Sequence, residues 1–250
     1  MLAYLGLHKL DSCIRSWVHT QSFFPSALGV LVNPFYFARR GLFSHIQEMA
    51  PHLKGTILDV GCGQKPYQNL FHADRYVGLE YDTPGNRSNK RADFFYDGVR
   101  FPFGADEYDA LLVNEVLEHV FNPDEFLDEL HRVLKRGGMM LITTPFMWDE
   151  HEVPHDYARY SSYGLMSLLK KHHFAVVEHK KSMSDLRAIA QILNTYIFKK
   201  TRWLSRGFYS DLFLAVAFMA PVNIAGGLLA KIFPDNEGLY LDNIMLARKE

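Results

Sequence analysis

The sequence predicts an α/β domain built on an open, doubly wound sheet. Three observations lead there. Short apolar runs alternate with helical segments along much of the chain, the pattern of a largely parallel sheet with helices on its faces. The residues with chemical potential sit just after those runs, where such sheets bind ligands. The 250 residues, 48% apolar and 22% charged, are enough for one such domain with decoration.

Residues 1–53 read as helical N-terminal decoration, broken at Pro25 and Pro34. The core spans 54–182. Its first strand, Thr56–Val60, is a short apolar run entering the tight turn Gly61-Cys62-Gly63. Strands follow at Tyr76–Glu80, Ala92–Tyr96, Tyr108–Val113 and Gly138–Thr143. A helix precedes the fifth strand. Asn122 caps it, Pro123 suits its first position, and Asp124 and Glu125 complement its dipole. Phe126, Leu127, Leu130, Val133 and Leu134 form its apolar face, Lys135 and Arg136 its last turn, and Gly137 its end. Ser161–Lys171 is another helix, followed by a strand at Phe174–Val177. Residues 183–239 form an apolar helical insertion, and 240–250 carry a seventh and final strand, Leu241–Ala247.

Charge and cysteine content exclude several function classes. Lys+Arg 27 against Asp+Glu 28 leaves a net charge of −1, so no nucleic-acid partner held by phosphate neutralisation is expected. Cys13 and Cys62 form no C-x-x-C pattern. A disulfide framework and a cysteine zinc site are therefore excluded, and a cytoplasmic setting fits. His8 and Lys9 interrupt the apolar start, against a cleaved signal peptide.

The turn after the first strand is a ligand cradle. Its glycines let a ligand approach the backbone, and Glu80, at the end of the second strand, can accept hydrogen bonds from both ribose hydroxyls of a nucleoside. A dinucleotide fingerprint needs a third small residue where Pro66 stands, so a ligand without a pyrophosphate fits better. Leu58-Asp59-Val60-Gly61-Cys62-Gly63, Gly78-Leu79-Glu80, Arg100-Phe101-Pro102-Phe103, Tyr108-Asp109, Glu115-Val116-Leu117-Glu118-His119-Val120 and Arg132 to Gly138 occur in a fixed order. As a set, from Lys54 to Val177, they resemble the class I S-adenosylmethionine (SAM)-dependent methyltransferases, most closely the type 11 subgroup. That resemblance implies a Rossmann-like seven-stranded sheet and SAM as cofactor. It places Asp59, Gly61, Cys62 and Gly63 at the methionine end of SAM and Glu80 on the ribose. Asp93 and Phe94, taken as following the third strand, would meet the adenine, and Asn114 would lie under the sulfonium. Asp93 and Asn114 also read as ordinary turn or cap residues, and Glu118-His119 as a structural pair.

The loop after the fifth strand is rich in proton-moving groups. His151-Glu152-Val153-Pro154-His155 spells the helical zinc-protease motif, but Pro154 opposes the helix that the motif needs. No metal ligands are assigned, though His151, His155 and Asp156 are an alternative loop-borne set. The preferred reading is a substrate lid. His151, His155 or His119 would serve as base, Arg159 would pair with an anionic group, and Trp148, Tyr157 and Tyr160 would stack on a ring. The other reading is a loop tied down by its own hydrogen bonds. Similar loops occur in methyltransferases linked to cell-surface glycan synthesis.

In the family that the chain resembles, the last two strands form a near-direct hairpin; here the insertion separates them. Asp185–Phe198 is amphipathic, and Leu212–Ala230 lacks charged residues over a length near that of a membrane span. One crossing would put the final strand on the wrong side of a membrane, and Pro221, Asn223, Gly226 and Gly227 are expected to break the segment into pieces. It is read as a cap, a homodimer contact, or a peripheral membrane surface receiving a lipid-carried acceptor, with Ser16–Ala38 against it. The expected protein is thus a SAM-dependent methyltransferase of a small-molecule, glycan or lipid-linked acceptor, at oxygen. The competing readings are an NAD-linked oxidoreductase and a non-catalytic, membrane-associated binding protein.

Overall fold

The computed structural model describes residues 2–89 and 91–250, with the side chains of 11–89 and 91–250. The chain forms two compact units, one of Ser44–Ser182 with Leu241–Glu250, the other of the chain up to Phe43 with Met183–Tyr240.

The first unit is a seven-stranded sheet. Its strands are β1 (Thr56–Val60), β2 (Arg75–Tyr81), β3 (Phe94–Tyr96), β4 (Tyr108–Asn114), β5 (Leu134–Pro145), β6 (Phe174–Lys181) and β7 (Asp242–Lys249), in the order β3-β2-β1-β4-β5-β7-β6. β7 runs antiparallel between β5 and β6, and the other neighbouring pairs are parallel. This departs from the 3-2-1-4-5-6 order of the dinucleotide fold. Central strands buried on both faces read as continuous apolar runs, and β1 and β4 do. Leu58, Val60, Leu111, Val113, Leu127, Leu130 and Ile142 lie in the core that they share.

One helix is shorter than the sequence suggested. It runs Pro123–Val133, and Leu134 already pairs with Tyr108 as β5 begins. Lys135 and Arg136 therefore belong to the strand. Lys135 reaches Asp109, whose carboxylate accepts the Thr56 N–H at 2.8 Å. Gly137, with φ +74°, turns within this segment instead of ending a helix. Asn122 makes no cap bond; its amide reaches Glu125 at 3.3 Å. The next helix, Ser162–Lys171, is capped by Ser161, whose hydroxyl accepts the Gly164 N–H at 3.2 Å.

The second unit is helical. Leu186–Thr201 is capped by Asp185 and packs on Ala220–Leu229, where a Cβ on Gly226 would lie 2.4 Å from that of Ala190. The expected break at Pro221 is absent, and one helix continues from Phe208 to Leu229. Ala215–Met219 is a π-helical turn, a widening that accommodates the missing proline donor and its ring. Asn194 donates to the Met219 carbonyl at 3.1 Å and to Asn223 Oδ1 at 2.8 Å. Asn223 in turn donates to the carbonyls of Val30 and Asn33, and Gln191 Oε1 accepts the Phe37 and Ala38 N–H groups. Segment 16–38 is thereby tied to the insertion by buried side-chain amides.

Candidate active site

The cradle after β1 is built as its glycines require. Gly61 (φ +69°) and Gly63 (φ +52°) are left-handed, and a Cβ on Gly61 would sit 2.4 Å from Val116 Cγ2. The Gly61 and Cys62 N–H groups both donate to the Leu79 carbonyl, joining the turn to β2. Glu80, 8% exposed, accepts the Gly63 N–H at 3.0 Å through Oε2 and the Tyr81 N–H at 3.2 Å through Oε1. Asp59 is buried and accepts the Tyr76 hydroxyl at 2.8 Å. Burial raises its pKa to about 7, against the opposing pull of Tyr76 and Lys65. Burial also pushes the Cys62 thiol up to about 12, so it stays neutral.

The adenine assignment needs correction. β3 begins at Phe94, so Asp93 and Phe94 precede or open the strand rather than follow it. Asp93 is turned back, accepting the Gly78 N–H at 2.7 Å and pairing with Lys65. Phe94 stands edge-on to Phe103 at 5.2 Å. The residue beyond the carboxyl end of β3 is Asp97, whose Oδ1 accepts the Val99 and Arg100 N–H groups; these bonds hold its carboxyl below the usual range. The Asp97-Gly98 dipeptide, a strong turn signal, marked that strand end in the sequence.

After β4, Asn114 Oδ1 lies 3.0 Å from the Thr143 hydroxyl of β5. Glu115 (φ +54°) donates its N–H to the same hydroxyl at 3.0 Å, and its own carboxylate lies 2.8 Å from it. The turn Leu117–His119 then sets Glu118 fully inside. Among the described residues, neither of its carboxylate oxygens has a hydrogen-bond partner. Burial and the nearby Glu115 raise its pKa well above the carboxylate range.

The β5 loop brings His151 edge-on to His119, with ring centroids 4.7 Å apart. His119 Nδ1 lies 2.7 Å from the His155 carbonyl, and its Nε2 lies 3.8 Å from Glu118 Oε1. The His155 imidazole is directed elsewhere, to the Tyr157 hydroxyl at 3.1 Å. Residues 151–155 are non-helical, so the protease motif lacks the geometry that it needs. Arg159 grips both Asp156 oxygens, at 2.6 and 2.7 Å, and donates to the Asp149 and Ala158 carbonyls. That pairing lowers the Asp156 pKa to about 2. Trp148 offers its carbonyl to Arg159 at 3.4 Å, and the half-exposed Tyr157 stands edge-on to Phe121 at 5.3 Å. The Tyr160 carbonyl accepts from Asn243 of β7 at 2.7 Å. Arg159 thus fastens the loop to itself, instead of standing open to pair with an anionic group as expected from the sequence.

Comparison with known proteins agrees with this geometry. A family model described as a methyltransferase domain matches residues 35–200. An uncharacterized protein of Methanocaldococcus jannaschii is 32% identical over 40% of this chain and 49% of its own. A probable S-adenosylmethionine-dependent methyltransferase of Mycolicibacterium smegmatis is 28% identical over 47% of this chain and 48% of its own. A ubiquinone biosynthesis O-methyltransferase of Caulobacter vibrioides is 32% identical over 38% and 42%. The matches thus span under half the length of these relatives. Among solved structures, the [4+2]-cyclase SpnF shares the fold with a TM-score of 0.54, 20% identity, and coverage of 83% of this chain and 80% of its own.

Proposed function

The chain belongs to the methyltransferase domain family, and from that premise we propose that it transfers the methyl group of SAM to an oxygen of a small-molecule, glycan or lipid-linked acceptor. The observation that carries this reading is the cradle of Gly61, Gly63 and Glu80 at the carboxyl ends of β1 and β2. Its left-handed glycine turn and the Glu80 carboxylate suit a nucleoside carrying an amino acid. Asp59 would take the SAM ammonium and Glu80 the ribose. Asp97, beyond β3, replaces Asp93 and Phe94 as the proposed adenine contact, and Asn114 would lie beneath the sulfonium.

Transfer is an in-line displacement. A lone pair on the acceptor oxygen attacks the methyl carbon, the carbon–sulfur bond breaks, and sulfur leaves as the neutral thioether of S-adenosylhomocysteine (SAH). The hydroxyl proton must go to a base or to water. His119 and His151, brought together after β4 and β5, flank the proposed acceptor side, with His155 and Tyr157 beside them. Holding the acceptor in line supplies much of the rate.

A cytoplasmic setting with peripheral membrane contact is part of the proposal. Cys13 and Cys62 are free thiols. The helix Phe208–Leu229 is long and apolar enough to cross a membrane, yet only 33% of its most apolar window is buried. Phe213, Val216, Ile224 and Leu228 are exposed on it, and Lys199, Lys200 and Arg202 precede it. Exposed apolar helix beside basic residues is the composition that binds anionic bilayers. The test is calorimetric titration with SAM and SAH, then conversion of SAM to SAH with a lipid or glycan extract, with and without anionic vesicles. Saturable binding and extract-dependent turnover are expected. Folded protein that binds neither ligand would refute the cofactor reading; binding without turnover would leave a SAM-binding protein. Phe213→Asp with Leu228→Asp should abolish co-sedimentation with the vesicles.

A further inference from the structure

Glu118 poses a problem that the proposed methyl transfer does not solve. It is completely buried, and both carboxylate oxygens lack a hydrogen-bond partner among the described residues. Leaving a buried carboxylate without a partner is costly, so its neighbours bear on what it binds. One ligand atom each from Glu118, His119 and His151 lies within 4.8 Å of the other two. Glu118 and His119 are neighbours in the turn after β4, and folding brings His151 to them from the loop after β5.

The two imidazoles are oriented alike. His119 Nδ1 faces the His155 carbonyl at 2.7 Å. His151 Nδ1 faces the Asp149 carbonyl at 3.3 Å and Asp156 Oδ2 at 3.3 Å, with the Arg159 guanidinium 3.5 Å away. Each ring therefore has an acceptor in reach of Nδ1, and the Nδ1–H tautomer would present the Nε2 lone pair to a ligand. Donation of the second ring N–H to a carbonyl or carboxylate is the arrangement that fixes metal-ligating histidines. Glu115 and Asp242 add negative potential around Glu118, opposed by Arg159.

We propose that Glu118, His119 and His151 bind a divalent transition cation through one carboxylate and two imidazole Nε2 atoms, leaving coordination positions open to an acceptor oxygen. Two histidines and one carboxylate suit zinc or a redox-capable first-row metal, whereas magnesium prefers all-oxygen sites. The Val116 side chain that excludes a Cβ from Gly61 lies in the same turn as Glu115 and Glu118, so the site adjoins the cofactor cradle. The ion would lower the pKa of a bound hydroxyl, relieving His119 and His151 of a base role. The binding claim stands without that reading; only the ion's purpose rests on it.

The test uses the full chain stripped with a chelator and titrated calorimetrically with Zn²⁺ and Co²⁺, with visible absorption following Co²⁺. Expected are one equivalent bound and a cobalt spectrum of mixed nitrogen and oxygen ligation. Affinity should fall at least tenfold in Glu118→Gln and in His151→Ala, while Mg²⁺ does not compete. SAH binding by each variant, measured in parallel, reports folding and the cofactor reading separately. Two results overturn the inference: no saturable binding to wild-type chain that still binds SAH, or undiminished metal binding by both variants. If instead the metal binds and SAH does not, the metal site stands and the methyl-transfer reading falls.

Discussion

Asp59 links cofactor binding to pH in a way that can be worked out. Its pKa rises from 3.8 to about 7 because burial outweighs the stabilisation of its charge by the Tyr76 hydroxyl and Lys65. In the proposed complex the SAM ammonium needs the ionised carboxylate. With a pKa near 7, the ionised fraction is about one half at pH 7 and about 1% at pH 5. If only ionised Asp59 binds, the Kd for SAM weakens about 50-fold across that interval, roughly 2.3 kcal/mol. Stability follows the opposite sign. The folded pKa lies above the unfolded one, so the native state holds a proton that the unfolded chain releases. This stabilisation is present below about pH 4 and is lost as pH rises toward 7, by at most about 4 kcal/mol. Asp59→Asn keeps an acceptor for Tyr76 and removes the titration. Titration calorimetry should therefore show a steep pH dependence in wild type and a flat, weak affinity in the variant. Ligand-free Asp59→Asn should also lose less stability than wild type between pH 5 and 8. Equal pH dependence of affinity in the two proteins would refute the reasoning.

Other outcomes follow from single contacts. Glu80→Ala removes the acceptor of the Gly63 N–H and the proposed ribose ligand; SAM affinity should fall by about 1–3 kcal/mol in calorimetry. Arg159→Ala leaves the inner carboxylate of Asp156 without its two guanidinium bonds. Faster amide exchange across residues 146–160, with core protection unchanged, is expected. Gly226→Val forces a side chain into the 2.4 Å approach to Ala190, so thermal unfolding should show a loss of about 1–3 kcal/mol.

What was legible in the sequence depended on how local the signal was. β1 and its turn could be read because an apolar run ending in Gly-x-Gly is a short-range pattern, and Glu80 followed from its offset. Asp93 was misplaced because the third strand is only three residues long; so short a run carries almost no periodicity, and the Asp97-Gly98 turn was the better marker. The early end of the helix at Val133 was hidden because Lys135, Arg136 and Gly137 satisfy the helix-end pattern equally well. The pairing of Leu134 with Tyr108, which overrides it, is a tertiary contact. Grouping Glu118, His119 and His151 was beyond reach for the same reason. The sequence drew attention to His151, His155 and Asp156 because they are neighbours in the chain. Folding instead turns the His155 ring to Tyr157 and leaves its carbonyl to orient His119.

The insertion shows why this sheet tolerates so large an addition and what that limits. Ser182 and Asp242 close the ladder between β6 and β7: the Ser182 N–H donates to the Asp242 carbonyl, and the Leu241 N–H donates back to the Ser182 carbonyl, both at 2.9 Å. The strands thus pair up to the base of the insertion, whatever chain lies between them, and loop-closure cost rises only slowly with length. The helix of 208–229 is strongly apolar. It is not free to cross a bilayer once. β7 follows it and pairs with both β5 and β6, and a single crossing would remove β7 from the sheet. The fold is shared with a [4+2]-cyclase, so it does not fix the reaction. In the proposals above, the Glu118 cluster and the exposed apolar face of 208–229 each concern the acceptor rather than SAM.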